Sequence, residues 1–358
     1  MDTADRDFLL ELLRTPSPSG FEMPGQRVWA GYAGRYADAV EVDAYGNTWA
    51  TLAGRKEGGP RIMLEAHADE IGYIVKHVTA EGFLRIDRIG GSDTATARGR
   101  KVLIYGDKGA VPGIIGNTAI HLRKDSLGDE KAPKISELYV DVGADSAKAV
   151  SKLGIRVGHP AVYSDGAEFF GENRLVGRAL DNRMGGFILA RVLAKLSKKR
   201  PEATVIALNA VQEEIGGNGA MMATHRIHPD VAIVLDVTHA TETPGIDAAV
   251  HGSVKMGGGP SVTHGTCNHP LVVQRLLKVA GAKSIPIQHE SSSRYSGTDT
   301  DVIFTVRGGI PSALVSLPLR YMHSIVEMCD LKDVEKVIDL LVAFVNSVSA
   351  KDRFSHQL

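Results

Sequence analysis

The chain has 358 residues, which at roughly 150 residues per domain allows two domains. Hydrophobic residues make up 43% and charged residues 23% of it, which excludes disordered and fibrous classes. The 41 basic and 42 acidic side chains leave a net charge of -1 without blocks of like charge, so no nucleic acid and no anionic membrane is expected as a partner. Two cysteines, Cys267 and Cys329, are too few for a disulfide framework and suit a reducing compartment. The acidic opening Met1–Asp7 is unlike a secretory signal, and no apolar run approaches membrane-spanning length, so a cytoplasmic protein is expected.

In chain order, Phe8, Leu9, Leu12 and Leu13 form one apolar stripe, a first helix ended by Pro16-Ser17-Pro18-Ser19-Gly20. Apolar runs at Ile62–Leu64, Val205–Leu208, Val231–Leu235 and Ala313–Leu317 read as strands buried on both faces of an α/β sheet. Between Tyr73 and Asp165 the texture changes. Short β-like pieces (Tyr73–Val75, Phe83–Ile86, Val102–Tyr105, Leu138–Val140, Ala161–Tyr163) alternate with glycine-containing turns. Evenly spaced short strands without long helices predict a small barrel or sandwich inserted into the α/β domain; a long β excursion of one domain is the alternative. A helix follows Gly185-Gly186, using Phe187, Ile188, Val192 and Leu196. The last helix carries Val334, Val337, Ile338, Leu341, Val345 and Val348 on one face, with Asp330 as its N-cap.

Polar residues sit at the ends of the apolar strands. Ile62–Ala66 runs into His67-Ala68-Asp69-Glu70, and Val205–Val211 into Gln212-Glu213-Glu214. Val231–Leu235 runs into Asp236, Ala313–Leu317 is followed by Met322-His323, and Asp181 immediately precedes the Gly185-Gly186 helix. In open α/β sheets ligands bind beyond the carboxyl ends of the strands, so these residues converge on one edge. Taken singly, each has a plain alternative: a polar strand cap for a histidine, a solvated turn for Glu213-Glu214, a helix N-cap for Asp181. Their joint placement favours a site.

Imidazole plus carboxylate without thiolate suits zinc, cobalt or manganese. Five ligands exceed what one tetrahedral ion with an open position can use, but they fit two ions if one carboxylate bridges them over a shared water. One glutamate of the pair is then free to act as general base, and Asp69 is placed to hold the second nitrogen of His67. His225, His228 and His269 are assigned no role, and Cys267 is read as a buried thiol.

The motifs His67-Ala68-Asp69-Glu70-Ile71-Gly72, Leu180-Asp181-Asn182-Arg183, Gln212-Glu213-Glu214-Ile215-Gly216, Leu235-Asp236 and Met322-His323-Ser324 resemble the metal motifs of the glutamyl-aminopeptidase and TET family of dinuclear metallopeptidases. Pro16–Gly20 and Ser296-Gly297-Thr298-Asp299 also resemble that family, so the likeness spans nearly the whole chain in order. The resemblance implies that His67 and Asp236 bind one metal, Glu214 and His323 the other, and that Asp181 bridges. It implies Glu213 as catalytic base and Asp69 as the residue behind His67. The implied fold is α/β: a mixed-sheet dinuclear-metallopeptidase domain (1–72 and 166–358) with helices on both faces, carrying an inserted all-β barrel-like domain (73–165) that pairs subunits. Twelve subunits commonly close into a hollow tetrahedral particle in the family. Ile325 stands where the family usually has Pro.

The expected function is a metal-dependent aminopeptidase acting on short peptides with two divalent ions per subunit, zinc or cobalt ahead of manganese. A deacylase or carboxypeptidase-like amidase shares the same ligand order and is the alternative. Glycoside hydrolysis is disfavoured because it needs two uncommitted carboxyl groups across a sugar. A non-enzymatic metal scaffold would leave Glu213 without a purpose.

Overall fold

The computed structural model describes residues 1–122 and 131–356. Of the interval 73–165 expected to be inserted, 123–130 lie outside the described residues, as do 357–358 of the second catalytic segment.

Strands β1 (Ala39–Val42), β2 (Thr48–Leu52) and β3 (Arg61–His67) open a large sheet. The chain then leaves it to form β4 (Gly72–Val78), β5 (Leu84–Ile89), β6 (Lys101–Gly106), β7 (Gly109–Ile115), β8 (Tyr139–Asp141) and β9 (Pro160–Tyr163). These close into a six-stranded antiparallel barrel in the order β4-β5-β8-β7-β6-β9. Tyr73, Val75, Leu84, Ile86, Val102, Ile104, Ile115 and Val140 fill its core.

The chain returns through β10 (Glu168–Phe170), β11 (Arg174–Gly177), β12 (Thr204–Ala210), β13 (Val231–His239), β14 (Ser261–His264), β15 (Gln288–Ser291), β16 (Ser312–Arg320) and β17 (Glu327–Asp330). The mixed, eleven-stranded sheet runs β1-β2-β12-β3-β13-β16-β17-β11-β10, with β14 and β15 attached beside β16. Its centre, β12-β3-β13-β16, is parallel.

Both faces of that centre are covered, which explains the unbroken apolar runs. Ile62, Leu64, Val205 and Ala207 face a core built with helices Thr3–Arg14, Met23–Ala33, Leu180–Lys198, Pro270–Ala282 and Leu331–Ser347. Met63, Ile206, Leu208 and Val234 face the opposite side, against helix Asn218–Ile227 and the segment around Ile303. Asp330 caps the last helix by accepting from the backbone N–H of Lys332. No helix among the described residues is long and apolar enough to cross a membrane.

Candidate metal centre

The parallel register brings the strand ends level. His67, the last residue of β3, pairs with Ala210, the last of β12, from which the chain continues into Glu213 and Glu214. In β13, Val234 lies opposite Glu65, so Asp236 follows two residues on just as His67 does. His323 follows β16, and Asp181 sits in the first turn of helix Leu180–Lys198. Asp181 does not cap the helix: its two oxygens face His67 and His323, the capping oxygen is Asn182 Oδ1, which accepts from the N–H of Gly185 at 3.1 Å, and the Asp181–Asn182 peptide bond is cis.

These side chains meet at one point, His67, Asp181 and Asp236 buried and Glu213, Glu214 and His323 half-buried. Asp181 Oδ1 lies 3.1 Å from His67 Nε2, and its other oxygen lies 3.3 Å from His323 Nε2. Asp236 Oδ1 is 3.7 Å from His67 Nε2, and Glu214 Oε2 is 3.5 Å from His323 Nε2. Two groups could therefore each hold a metal ion: His67, Asp181 and Asp236, and Asp181, Glu214 and His323. Asp181 belongs to both. Glu213 belongs to neither, yet its Oε2 is 3.8 Å from His67 Nε2.

The donor chemistry suits a divalent cation. Glu214 Oε1 is buried without a hydrogen-bond partner. The cavity of about 550 Å³ carries the carboxylates of Asp181, Glu213, Glu214, Asp236 and Asp301, and no Lys or Arg is among its described lining residues. Burial, together with the charges of Asp236, Asp299 and Glu214, pushes the Glu213 carboxyl up to about 10, against the pull of His67. Burial also raises Glu214, to about 7. Hydrogen bonds to Asp181 and Glu214 hold His323 in its protonated form, up to about 11. Burial opposes a charge on His67, but its carboxylate neighbours Asp181, Asp236 and Asp69 outweigh it and raise it well above the ordinary range. Cations in the two groups would take over the neutralising part that these histidine protons play.

The supports come from distant parts of the chain. Asp69 accepts from the backbone N–H groups of Glu213 (3.0 Å) and Glu214 (3.2 Å) and from Ser19 Oγ (2.6 Å). The nearest partner of His67 Nδ1 is the Asp69 carbonyl at 3.2 Å, with carboxylate Oδ1 at 3.4 Å. Asp69 thus braces both the imidazole and the glutamate pair. Glu70 pairs with Arg178 and Arg183 on either side of Asp181, and all three are buried. Asp299 and Glu65 are both buried, and burial raises both carboxyls, Asp299 well above the ordinary range and Glu65 to about 8. Cys267 is buried and donates to Asp301 Oδ1. Three neighbours were not singled out from the sequence: Glu22, Gly91 and Glu327. Glu22 Oε1 accepts from Gln212 N–H at 3.2 Å, bracing a non-glycine residue at φ 61. Glu327 accepts from the N–H groups of Asp181 and His323.

The family model for M42 glutamyl aminopeptidases matches residues 46–340. The lysyl aminopeptidase of Pyrococcus furiosus is 32% identical over 97% of this chain and 99% of its own length. An aminopeptidase structure from the archaeon Desulfurococcus kamchatkensis superposes with a TM-score of 0.90 at 32% identity, covering 97% of this chain and 96% of that one. The TET1 peptidase of Pyrococcus horikoshii, described as able to assemble into a tetrahedron or a large octahedral shell, gives a TM-score of 0.85 at 28% identity, covering 96% of this chain and 100% of that one. On this match in sequence and fold, the chain belongs to the M42 glutamyl aminopeptidase family.

Proposed function

We propose that this protein is a dinuclear metallo-aminopeptidase that removes N-terminal residues from short peptides. The observation that carries the reading is the pair of ligand groups sharing Asp181, with Glu213 beside them and in neither. His67 and Asp236 would hold one ion, Glu214 and His323 the other, and Asp181 both. Divalent ions such as zinc, cobalt or manganese, when bound, supply Lewis acidity and make water nucleophilic near neutral pH. With divalent ions beside it Glu213 would be held as the carboxylate instead of the protonated form that burial alone favours, so that it takes a proton from the attacking water and returns it to the leaving amine nitrogen. Asp69 holds the backbone of Glu213 and the ring of His67, so base and ligand keep a fixed relation.

The cavity's charge supports an aminopeptidase over a carboxypeptidase-like amidase or a deacylase. Two divalent ions set against five carboxylates leave the cavity one negative charge, which favours a free N-terminal ammonium, whereas a C-terminal carboxylate finds no Lys or Arg among the lining residues. The test is a panel of aminoacyl chromogenic substrates and their N-acetylated counterparts, run with zinc, cobalt and manganese. Turnover of the free amines alone is the expected result; preference for the acetylated series would replace this reading with the deacylase.

The same reading extends to assembly. The inserted barrel domain (73–165) would pair subunits, twelve of which would enclose inward-facing sites that admit short peptides and exclude folded proteins. Support comes from the barrel's exposed apolar side chains Ile114 (52%) and Val157 (54%). Mass photometry should give a multiple of two 38.3 kDa chains, twelve by this reading; a stable active monomer would refute the shell without touching the chemistry.

A further inference from the structure

Glu327 opens β17 opposite Gly177 of β11 and is 1% exposed, yet it belongs to neither ligand group. No Lys or Arg forms an ion pair with it among the described residues. Burying a carboxylate without a cation is costly, so its two oxygens should have a compensating use. Both are occupied by backbone donors from distant segments. Oε2 accepts from the N–H of Asp181 at 3.1 Å, and Oε1 accepts from the N–H of His323 at 2.8 Å.

Both segments carry left-handed backbone at non-glycine residues. His323 has φ 59, and Ala179, two residues before Asp181, has φ 60. Left-handed backbone at non-glycine residues persists only where surrounding contacts over-determine it. Asp181 and His323 are 142 positions apart in the chain, so no local structure sets their separation. A single rigid carboxylate accepting from both does.

We infer that Glu327 is a positioning residue, whose two oxygens fix the distance between the peptide groups of Asp181 and His323 and so preform the ligand group of Asp181, Glu214 and His323. The inference rests on the dinuclear reading above. It predicts unequal damage to the two ions: the second group has two of its three ligands tethered by Glu327, the first only one.

The test is a cobalt(II) titration of metal-free protein, followed by visible absorption and calorimetry, for wild type, E327Q and E327D. In E327Q the amide oxygen can accept one N–H, but the NH2 group faces the other donor. We expect the weaker-affected ion to remain near its wild-type affinity, and the other to lose about 10- to 100-fold, the usual range for removing a group that orients a ligand. kcat should fall at cobalt concentrations that saturate wild type and recover with excess cobalt, while KM stays nearly constant. E327D keeps the carboxyl group with a shorter reach and should give an intermediate loss; if E327Q does not fold, E327D carries the comparison.

Two wild-type-like cobalt affinities in the variants would overturn the inference and leave the dinuclear reading intact. So would a loss of activity that excess cobalt does not restore, because that pattern describes scaffold damage. A wild-type protein that takes up a single cobalt ion would instead defeat the dinuclear reading, and this inference with it.

Discussion

Gly91, in the loop after β5 of the barrel, lies directly against the imidazole of His323: a Cβ placed on Gly91 would sit 2.6 Å from Nδ1 and 2.8 Å from Cε1. The neighbouring Gly90 is similarly close to Glu214, its Cβ position lying 3.0 Å from Oε2. The barrel therefore supplies a wall to one of the two ligand groups although it contributes no side-chain ligand. Ile325 strengthens this connection, since it is 6% exposed and packs in the barrel's core two residues after His323. The bulky apolar side chain at that position is thus an anchor between the two domains. G91A should push the His323 ring aside, weakening the ion held by Asp181, Glu214 and His323 by about 10- to 100-fold and leaving the other nearly unchanged. Equal affinities in G91A and wild type, measured by chelator competition, would show that the ring can shift without cost.

Glu213 is the proposed base, and its surroundings make a specific kinetic prediction. Glutamine at this position keeps the shape and the backbone N–H bond to Asp69 but cannot accept a proton. E213Q should lower kcat by about 10²- to 10⁴-fold while two ions per chain remain by metal analysis. Near wild-type turnover in E213Q would move the base elsewhere.

Glu22, joined to the Glu213-Glu214 pair through the N–H of Gln212, provides a pH test. It is 3% exposed, and burial raises its carboxyl from the ordinary value of 4.5 to about 7. Below pH 4.5 the group is neutral in both folded and unfolded chains and contributes nothing. Between 4.5 and 7 the unfolded chain ionises first, so rising pH removes stability; above 7 the full penalty applies, on the order of 3 kcal/mol. Both N–H donors, from Gly20 (2.8 Å) and Gln212 (3.2 Å), go to the same oxygen, Oε1, which glutamine retains. E22Q should therefore match wild type near pH 5 and become progressively more stable than it towards pH 8. A difference in thermal midpoint that stays constant across this range would contradict the assignment.

The sheet was legible because its central strands are buried on both faces, which turns Ile62–Leu64, Val205–Leu208 and Val231–Leu235 into unmistakable apolar runs. Helix Met23–Ala33 was not, since Pro24, Gly25 and Gly31 interrupt its apolar period although Trp29 packs at the core. Strand β7 was hidden in the same way by Gly109, Pro112 and Gly113, its register being set by β6 and β8. The convergence of His67, Asp236 and the Glu213-Glu214 pair follows from parallel register and could be read from strand ends. Glu22 and Glu327 could not, because what they hold is backbone, and a backbone N–H leaves no mark in the sequence. Gly91 was equally silent: its role is the absence of a side chain beneath a residue 232 positions away.

Side-chain preference follows from the charge of the cavity. Beyond the ligand groups its lining includes Thr238, His239, Ser296, Thr298, Asp301 and Val302. Asp301 is already engaged, accepting from the backbone N–H groups of Ser296 (2.9 Å) and Gly297 (2.8 Å), so it braces the 296–301 loop and leaves little capacity for a ligand. Two divalent ions, when bound, would match the charges of Asp181, Glu213, Glu214 and Asp236 and leave only Asp301 over, so a substrate whose first side chain is Glu or Asp would bring a further carboxylate into a space with no cation to spare and no Lys or Arg in its described lining. Leaving that charge unpaired costs at least about 2 to 3 kcal/mol, which at the transition state corresponds to roughly 100-fold in kcat/KM. We therefore expect glutamyl and aspartyl p-nitroanilides to be cleaved about 100-fold less efficiently than leucyl or lysyl ones, despite the glutamyl specificity in the family's name. Neutral side chains need only the apolar and hydroxyl lining, and a lysyl side chain meets the one carboxylate, Asp301, that the ions leave unmatched. Comparable efficiency on glutamyl and leucyl substrates would sink this expectation, because a positive charge would then have to be available to the side chain, from the ions themselves or from outside the described lining.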